Sequence, residues 1–169
     1  MQIEYLKICR FKSIICLEIE DISQALILVG QNSTGKTTVL DAIRAVGGDY
    51  RIVPEDFDES GANIEITVRL SLCEEDLKRL QKRGKVSSYR RWDSFLADVK
   101  KKLPSFDGET LTFTYIVNRD SRQRFDDGFK KNNPYIRDVF PTIYYIDAER
   151  NPEQFQNDML YLQEDAELK

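Results

Sequence analysis

The chain has 169 residues, of which 41% are hydrophobic and 32% charged, and its formal net charge is −4. This length suits one domain with a substantial core. A net negative charge gives no argument for nucleic-acid binding by the whole chain, so any such site must be a local basic patch. No apolar run approaches the roughly 18 residues of a membrane span, and the N-terminus does not resemble a signal peptide. We therefore expect a cytoplasmic protein without membrane contact.

The histidine and cysteine content excludes several kinds of site. The chain has no histidine and three cysteines, Cys9, Cys16 and Cys73, which lack C-x-x-C spacing. A zinc site that contains histidine and a Ser-His or Cys-His catalytic pair are therefore excluded. The cysteines lie in strand-like segments, which favours buried free thiols over a disulfide.

Apolar residues at the N-terminus predict three strands. Residues 3–11 and residues 14–19 form the first two, joined by a short turn at residues 11–14. The third lies within residues 22–29, where residues 25–29 are continuously apolar and predict a buried strand.

The segment that follows matches the phosphate-binding pattern G-x-x-x-x-G-K-[ST] without a mismatch. Its residues are Gly30, Gln31, Asn32, Ser33, Thr34, Gly35, Lys36, Thr37 and Thr38. Apolar residues after it recur at helical spacing, and two glycines at 47 and 48 are placed to end that helix. A strand, a glycine loop and a helix in this order are the context that the motif requires.

Each residue type in this loop suits the binding of a polyphosphate. Successive backbone N–H groups supply donors, and Gly30 and Gly35 allow conformations that a β-carbon would obstruct. The helix that begins near Gly35 adds the positive end of its dipole. Lys36 is expected to reach the β- and γ-phosphates, and the Thr37 hydroxyl is expected to bind Mg²⁺. The absence of an Asn-Lys-x-Asp element, which would favour guanine, favours ATP.

Residues 11–14 (Phe-Lys-Ser-Ile) and residues 30–43 together resemble the ABC-type ATPase heads of the SMC, RecF and OLD (overcoming lysogenization defect) families. Asn32 and the Leu-Asp-Ala-Ile run at 40–43 are part of the likeness. SMC-type heads usually have glycine at the position of Ser33, whereas OLD-type heads often have a polar residue there. The resemblance covers the first seventy residues well and the rest loosely.

This resemblance implies a fold and a set of partners. The fold would be α/β, a P-loop NTPase of the ABC-head type with an additional antiparallel β part. In such heads the basic residue that matches Lys12 lies near the nucleotide; a solvent-exposed turn lysine remains the alternative. A homodimer or a facing ATPase subunit would supply the signature loop, which this chain lacks.

Two later segments alternate between apolar and polar residues and predict strands of an antiparallel sheet: residues 64–70 and residues 111–117. Between residues 54 and 61 lies an acidic stretch, for which a solvated loop is favoured over a metal site. Residues 118–133 are polar and predict a mobile loop.

Residues 74–102 predict one or two helices interrupted at residues 84–88. From 78 to 102 there are ten basic and two acidic side chains, a net charge of +8, with aromatic residues between the arginines. This pattern makes five residues candidates for contacts with DNA: Lys82, Arg83, Lys85, Arg90 and Arg91. The alternative is a solvated helix face with Trp92 and Phe95 in the core.

The last apolar run, residues 142–146, predicts a short buried strand that leads into Asp147 and Glu149. These acids superficially fit a Walker B site, in which Asp147 would hold Mg²⁺ through water and Glu149 would polarise the attacking water. We prefer a second interpretation, because Tyr-Ile-Asp-Ala-Glu-Arg resembles a strand end found midway through OLD-type ATPase domains. Residues 151–169 are acidic and predicted to be helical.

Together these patterns predict the N-terminal portion of an ABC-type ATPase head. Its parts would be a P-loop core (1–48), β strands with a basic helical insert (49–141), and a return strand with an acidic terminal segment (142–169). ATP and Mg²⁺ are the expected ligands, with little turnover by this chain alone. The family likeness implies control of action on DNA, namely endonucleolytic cleavage in phage defence, with the nuclease outside this chain. Two alternatives stay open: an SMC- or RecF-like head that clamps DNA, and a compact, self-sufficient P-loop NTPase.

Overall fold

The computed structural model describes residues 1–31 and 34–145, and strands and helices account for most of that length. In chain order the elements are β1 (Gln2–Phe11), β2 (Ile14–Ile19), α1 (Lys36–Gly47), a 3₁₀ turn (Pro54–Asp56), β3 (Ile64–Ser71), α2 (Glu74–Lys82), α3 (Trp92–Lys102), β4 (Thr110–Val117), β5 (Gln123–Asp126) and α4 (Tyr135–Val139). Within those two ranges no helix has the length and apolar character needed to cross a membrane.

The described strands form one antiparallel sheet in the order β2-β1-β3-β4-β5. At its centre Ile66 lies opposite Tyr115 and Val68 lies opposite Phe113. Side chains alternate between the two faces of a strand, so this register collects the apolar residues of β3 and β4 on one face. The predicted antiparallel pairing of these two segments is confirmed.

One hydrophobic core joins that face of the sheet to the helices. Fully buried residues of β1 and β3, such as Ile8 and Ile66, belong to the same cluster as Val46 of α1, Phe95 of α3 and Ile136 of α4. The opposite face of β3 carries polar side chains that are less buried. The sheet is therefore covered by helices on one face and faces solvent on the other (the wet face), as the alternation of apolar and polar residues predicts.

The basic segment forms two helices, α2 and α3, separated by a loop, in agreement with the prediction for residues 74–102. Phe95 is completely buried and Trp92 stacks on it, with ring centroids 5.6 Å apart. These two aromatic residues therefore contribute to packing between the insert and the core, as the alternative interpretation expected.

The predicted state of the cysteines is wrong. Cys9 and Cys16 form a disulfide, and Cys73 is free but exposed. The reason is the register of the β1–β2 hairpin: its two-residue turn places Phe11 opposite Ile14, so that Cys9 lies directly opposite Cys16. Residues in such pairs have β-carbons close enough for a disulfide.

The apolar run before the phosphate-binding loop is not a buried strand, which corrects the prediction for residues 25–29. The side chains of Ile27 and Val29 are 81% and 89% exposed. A strand requires a hydrogen-bonded neighbour, and none of the described strands pairs with this segment.

The predicted return strand at residues 142–146 is also wrong over its described part. Residues 141–145 form no strand, and Tyr144 and Tyr145 are exposed. The segment instead crosses the end of α1, where Ile143 lies against Gly47. Residue 146 and the predicted terminal helix lie outside the described residues.

Two polar segments are more ordered than their composition predicts. Residues 118–133 contain β5 and end at Asn133, which is fully buried and donates to a carboxylate oxygen of Asp127 at 2.7 Å. In the acidic stretch, Asp56 is 4% exposed and accepts a hydrogen bond from the backbone N–H of Val53. A polar side chain can be buried where neighbouring groups form hydrogen bonds with it, and amino-acid composition alone does not reveal such partners.

Candidate functional site

The phosphate-binding loop leads directly into α1. Gly35 precedes the helix with φ of 91°, a left-handed conformation that side-chain-bearing residues rarely adopt. Lys36 and Thr37 then occupy the first turn, which contains no acidic residue. The first N–H groups of a helix have no partner within the helix, so this end of α1 offers donors and the positive end of the dipole.

The charged group of the loop is held against the loop's own backbone. The ammonium of Lys36 donates to the carbonyl oxygens of Gly30 and Gln31, at 2.7 and 2.5 Å. A β-carbon on Gly30 would lie 2.9 Å from the Thr34 hydroxyl oxygen, a distance at which something must shift. That hydroxyl donates to the carbonyl of Gln31. The loop therefore closes around Lys36, and a larger residue at position 30 would displace the Thr34 hydroxyl.

The two threonines after Lys36 differ in exposure. Thr37 is exposed at the start of α1, where its hydroxyl is accessible to a ligand, whereas Thr38 is only 8% exposed. Asn32 and Ser33 lie outside the described residues. The structure thus brings Gly30, Gln31 and the residues 34–38 together at one end of α1.

Lys12 lies in the turn between β1 and β2, with φ of 52°. Its ammonium donates to a carboxylate oxygen of Asp41 at 2.7 Å and lies 3.8 Å from Asp56. It also lies 4.6 Å from the centre of the Tyr50 ring. Burial lowers the pKa of Lys12, but its interactions with Asp41 and Tyr50 outweigh that effect and raise the pKa above its ordinary value.

This polar cluster contains residues that the sequence analysis did not single out. Asp41 is 6% exposed and also pairs with Arg44 at 3.3 Å, one turn further along α1. The hydroxyl of Tyr50 donates to the Asp56 carboxylate at 3.0 Å. One sequence feature could have pointed to Asp41 as a residue near the site. It follows Thr37 by four residues, and this spacing places both residues on one face of α1.

The described residues contain no cluster of side chains suited to holding a metal ion. Groups of three or more cysteine, aspartate or glutamate side chains with metal-site geometry are absent from residues 1–31 and 34–145. Asp147 and Glu149, the alternative Walker B acids, lie outside those ranges.

The DNA-contact candidates all lie at the surface, between the end of α2 and the start of α3. Each of the five is exposed: Lys82, Arg83, Lys85, Arg90 and Arg91. Lys85 is partly neutralised, because its ammonium lies 3.6 Å from a carboxylate oxygen of Asp138 on α4. The structure therefore gathers the candidates around one loop, and two of them, Arg83 and Lys85, line a cavity with Gly47 and Gly48 at the other end of α1 from the phosphate-binding loop.

Comparison with known proteins identifies the fold. No protein-family model matches the chain, and no curated protein matches it either. A solved structure described as "Structural biochemistry of ATP-driven dimerization and DNA stimulated activation of SMC ATPases" is 15% identical, covers 94% of this chain and 99% of its own, and superposes with a TM-score of 0.58. At this level of identity the likeness is one of fold: a mixed α/β domain with an antiparallel sheet that resembles an SMC ATPase head.

Proposed function

We propose that this chain is an ATPase head domain that binds ATP with Mg²⁺ through residues 30–38. The observation that carries the proposal is the position of Lys36, whose ammonium is held by the carbonyls of Gly30 and Gln31 at the positive end of α1. Two carbonyl oxygens are weak partners for an ammonium compared with phosphate oxygens. A bound polyphosphate would therefore replace them with a stronger, charge-assisted interaction.

Different groups of the loop would make different contacts with the nucleotide and the metal. Backbone N–H groups of the loop and of the first turn of α1 would donate to phosphate oxygens. Lys36 would neutralise charge on the β- and γ-phosphates, and the Thr37 hydroxyl would hold Mg²⁺. The metal, when bound, would neutralise charge on the phosphates. Lys12 remains a candidate for a further basic contact, although in this structure its ammonium is paired with Asp41.

A fluorescent ATP analogue, titrated with and without Mg²⁺, tests this proposal. Lys36→Ala should weaken binding by roughly tenfold to a hundredfold, because a charge-assisted interaction is typically worth about 1.5–3 kcal/mol. Thr37→Ala should remove mainly the magnesium-dependent part of the affinity. Lys7→Ala, on the wet face of β1, serves as the matched control. Equal affinities of wild type and Lys36→Ala would refute the assignment.

Turnover by this chain alone should be slow or absent. Phosphoryl transfer depends almost entirely on positioning and electrostatic stabilisation, so a site without a signature loop and an adjacent acid pair loses most of it. Release of phosphate at about one per second or faster, within the common range of enzymes, would instead favour the compact NTPase. In that case Asp147→Asn should abolish the activity.

In its full assembly the domain would couple ATP to action on DNA. The SMC-like fold supports an ATPase that acts as a homodimer or with a facing ATPase subunit, since its structural neighbour is described in terms of ATP-driven dimerization and DNA-stimulated activation. An OLD-type endonuclease is the finer proposal, supported by the polar residue Ser33 in the loop, and an SMC- or RecF-like DNA clamp is its alternative. A Toprim domain elsewhere in the same protein would favour the nuclease, and a long coiled coil would favour the clamp.

A further inference from the structure

The disulfide between Cys9 and Cys16 lies on the wet face of the sheet, next to the turn that contacts α1. Cys9 follows the buried Ile8 and therefore points to the opposite face, and the two cysteines are paired across β1 and β2 with α-carbons 4.1 Å apart. Cys9 is only 8% exposed, whereas Cys16 is exposed. One member of the pair is thus accessible from solvent and the other is protected.

The turn closed by this disulfide reaches the phosphate-binding element in two places, through an ion pair and through the approach of one side chain. Lys12 pairs with Asp41 of α1, and its backbone N–H donates to the carbonyl of Asp56 at 2.8 Å. A side-chain carbon of Ile14 lies 3.9 Å from the place where a β-carbon on Gly35 would be. Both contacts start within two or three residues of a cysteine. A change in how firmly the disulfide closes the hairpin would therefore affect the contacts that the turn makes at the start of α1.

We propose that Cys9 and Cys16 form a reversible thiol–disulfide site that reacts with low-molecular-weight thiols at Cys16, and that its redox state tunes how tightly residues 12–14 hold the phosphate-binding loop. Accessible disulfides are the ones that exchange readily, whereas structural ones resist reduction. The second part of this inference rests on the proposed nucleotide-binding function; the first part does not.

The exchange balances with glutathione as co-reactant. A glutathione thiolate attacks the sulfur of Cys16, the Cys9–Cys16 bond breaks, and Cys9 leaves as a thiolate that takes up a proton. A second glutathione thiolate then attacks the glutathione sulfur of the mixed disulfide and releases Cys16, which is also protonated. The protein gains two electrons and two protons, and two glutathione molecules become one glutathione disulfide. Oxidation is the reverse.

A redox titration tests the site without any nucleotide. The protein is equilibrated at graded ratios of reduced to oxidised glutathione, quenched in acid, alkylated with a maleimide and weighed intact. Cys73 is free and exposed, so one label is expected in the oxidised form and three in the reduced form. A reversible change between one and three labels is expected across the series. A pair that keeps its disulfide in a large excess of reduced glutathione, or never forms it in an excess of glutathione disulfide, would overturn the proposal.

Amide hydrogen exchange and nucleotide affinity test the coupling. Residues 11–14 and the first turns of α1 should exchange faster in the reduced form, and the ATP analogue should bind the oxidised form more tightly by about fivefold, a modest coupling between sites. Cys16→Ser, at an exposed position, should show the hydrogen exchange and the ATP-analogue affinity of the reduced form at every glutathione ratio. Cys73→Ser should change with the glutathione ratio as wild type does.

The outcomes separate this inference from the proposed function. Equal hydrogen exchange at the turn and at α1 in both redox forms would refute the coupling, whatever the nucleotide affinity. If neither redox form binds the ATP analogue, the proposed function fails, and the labelling and exchange results still decide whether the redox site exists and reaches α1.

Discussion

The ammonium of Lys12 lies 2.7 Å from a carboxylate oxygen of Asp41, and this contact ties the β1–β2 turn to α1. The side chain of Asp41 is 9% exposed and that of Lys12 is 28% exposed, so the pair is shielded from water on the acidic side and partly open on the basic side. A carboxylate this buried requires a partner, since an uncompensated buried charge is costly.

Removing that partner should destabilise the fold. Lys12→Met keeps the aliphatic part of the side chain but leaves Arg44 as the only basic partner of Asp41. We expect the free energy of unfolding to fall by about 1–2 kcal/mol. This is less than the full cost of breaking a buried ion pair, because Lys12 is partly exposed. The matched control is Lys7→Met, which removes an exposed pair with Glu18 and should change stability by less than about 0.5 kcal/mol. Urea unfolding of both variants gives the comparison.

The Lys12 contribution should depend on pH in one direction. Its pKa in the folded state is raised, so the stabilisation is fully present below the ordinary lysine pKa of 10.5 and is lost as the pH rises through the higher folded value. The difference in unfolding free energy between wild type and Lys12→Met should therefore be constant near neutral pH and shrink above about pH 10.5. A difference that stays constant to the highest measurable pH would contradict this.

Sequence patterns correctly predicted those elements whose formation depends on residues close together in the chain. The alternation of Ile64, Ile66, Val68 and Leu70 predicted β3, because such a strand has one face in the core and one in water. The phosphate-binding motif predicted a helix that begins beside Gly35, and α1 begins there. In both cases the signal lies within a few residues of the element itself.

Features that depend on pairing between segments were missed. The apolar run at 25–29 has strand composition but no neighbouring strand among those described, and composition does not reveal a missing partner. The Cys9–Cys16 disulfide follows from the register of a hairpin with a two-residue turn, and counting outward from Phe11 and Ile14 would have found it. Asp41 was read only as part of a family likeness, since its partner Lys12 is distant in sequence.

Another prediction concerns the exposure of the apolar run before the phosphate-binding loop. Ile27 is 81% exposed, so Ile27→Ala should change the free energy of unfolding by less than about 0.5 kcal/mol. Ile66, in the centre of the sheet, is fully buried, and Ile66→Ala should cost about 2–5 kcal/mol. Both variants delete the same atoms, so unfolding in urea isolates the effect of burial. A loss of more than 2 kcal/mol in Ile27→Ala would mean that this segment is packed against the domain in solution.

A further prediction concerns the phenol of Tyr5. Its hydroxyl donates to a carboxylate oxygen of Glu18 on the neighbouring strand, and this hydrogen bond is the largest of the effects that raise the pKa of Tyr5 from 10.0 to about 12. The difference between the alkaline absorbance titrations of wild type and Tyr5→Phe isolates this group from the other tyrosines. In a Glu18→Ala background the same difference should show a pKa closer to 10.0, because both the hydrogen bond and the negative charge that oppose ionisation are gone. An unchanged value in that background would show that Glu18 is not the cause.

The last prediction concerns the basic residues around the α2–α3 loop. If these side chains meet DNA phosphates, replacing Lys82, Arg90 and Arg91 with alanine should weaken binding to every duplex sequence, since phosphate contacts carry no sequence information. Each lost contact should also reduce the slope of log affinity against log salt by about 0.9, so three should reduce it by about 2.7. Fluorescence anisotropy with two unrelated duplexes over a range of salt concentrations measures both quantities.

A charge-matched variant separates local contact from a general loss of positive charge. Arg51, Arg119 and Arg122 are also exposed, and the last two lie near the ends of β3 and β4 that are opposite to the α2–α3 insert. Their replacement by alanine changes the net charge by the same amount, so a purely long-range effect would weaken binding equally in both triple variants. We expect a much smaller change in affinity and almost no change in salt slope for this second variant. If the first variant folds normally and binds duplex DNA with wild-type affinity and slope, the +8 segment is surface charge that keeps the insert solvated, and DNA must be engaged elsewhere in the assembly.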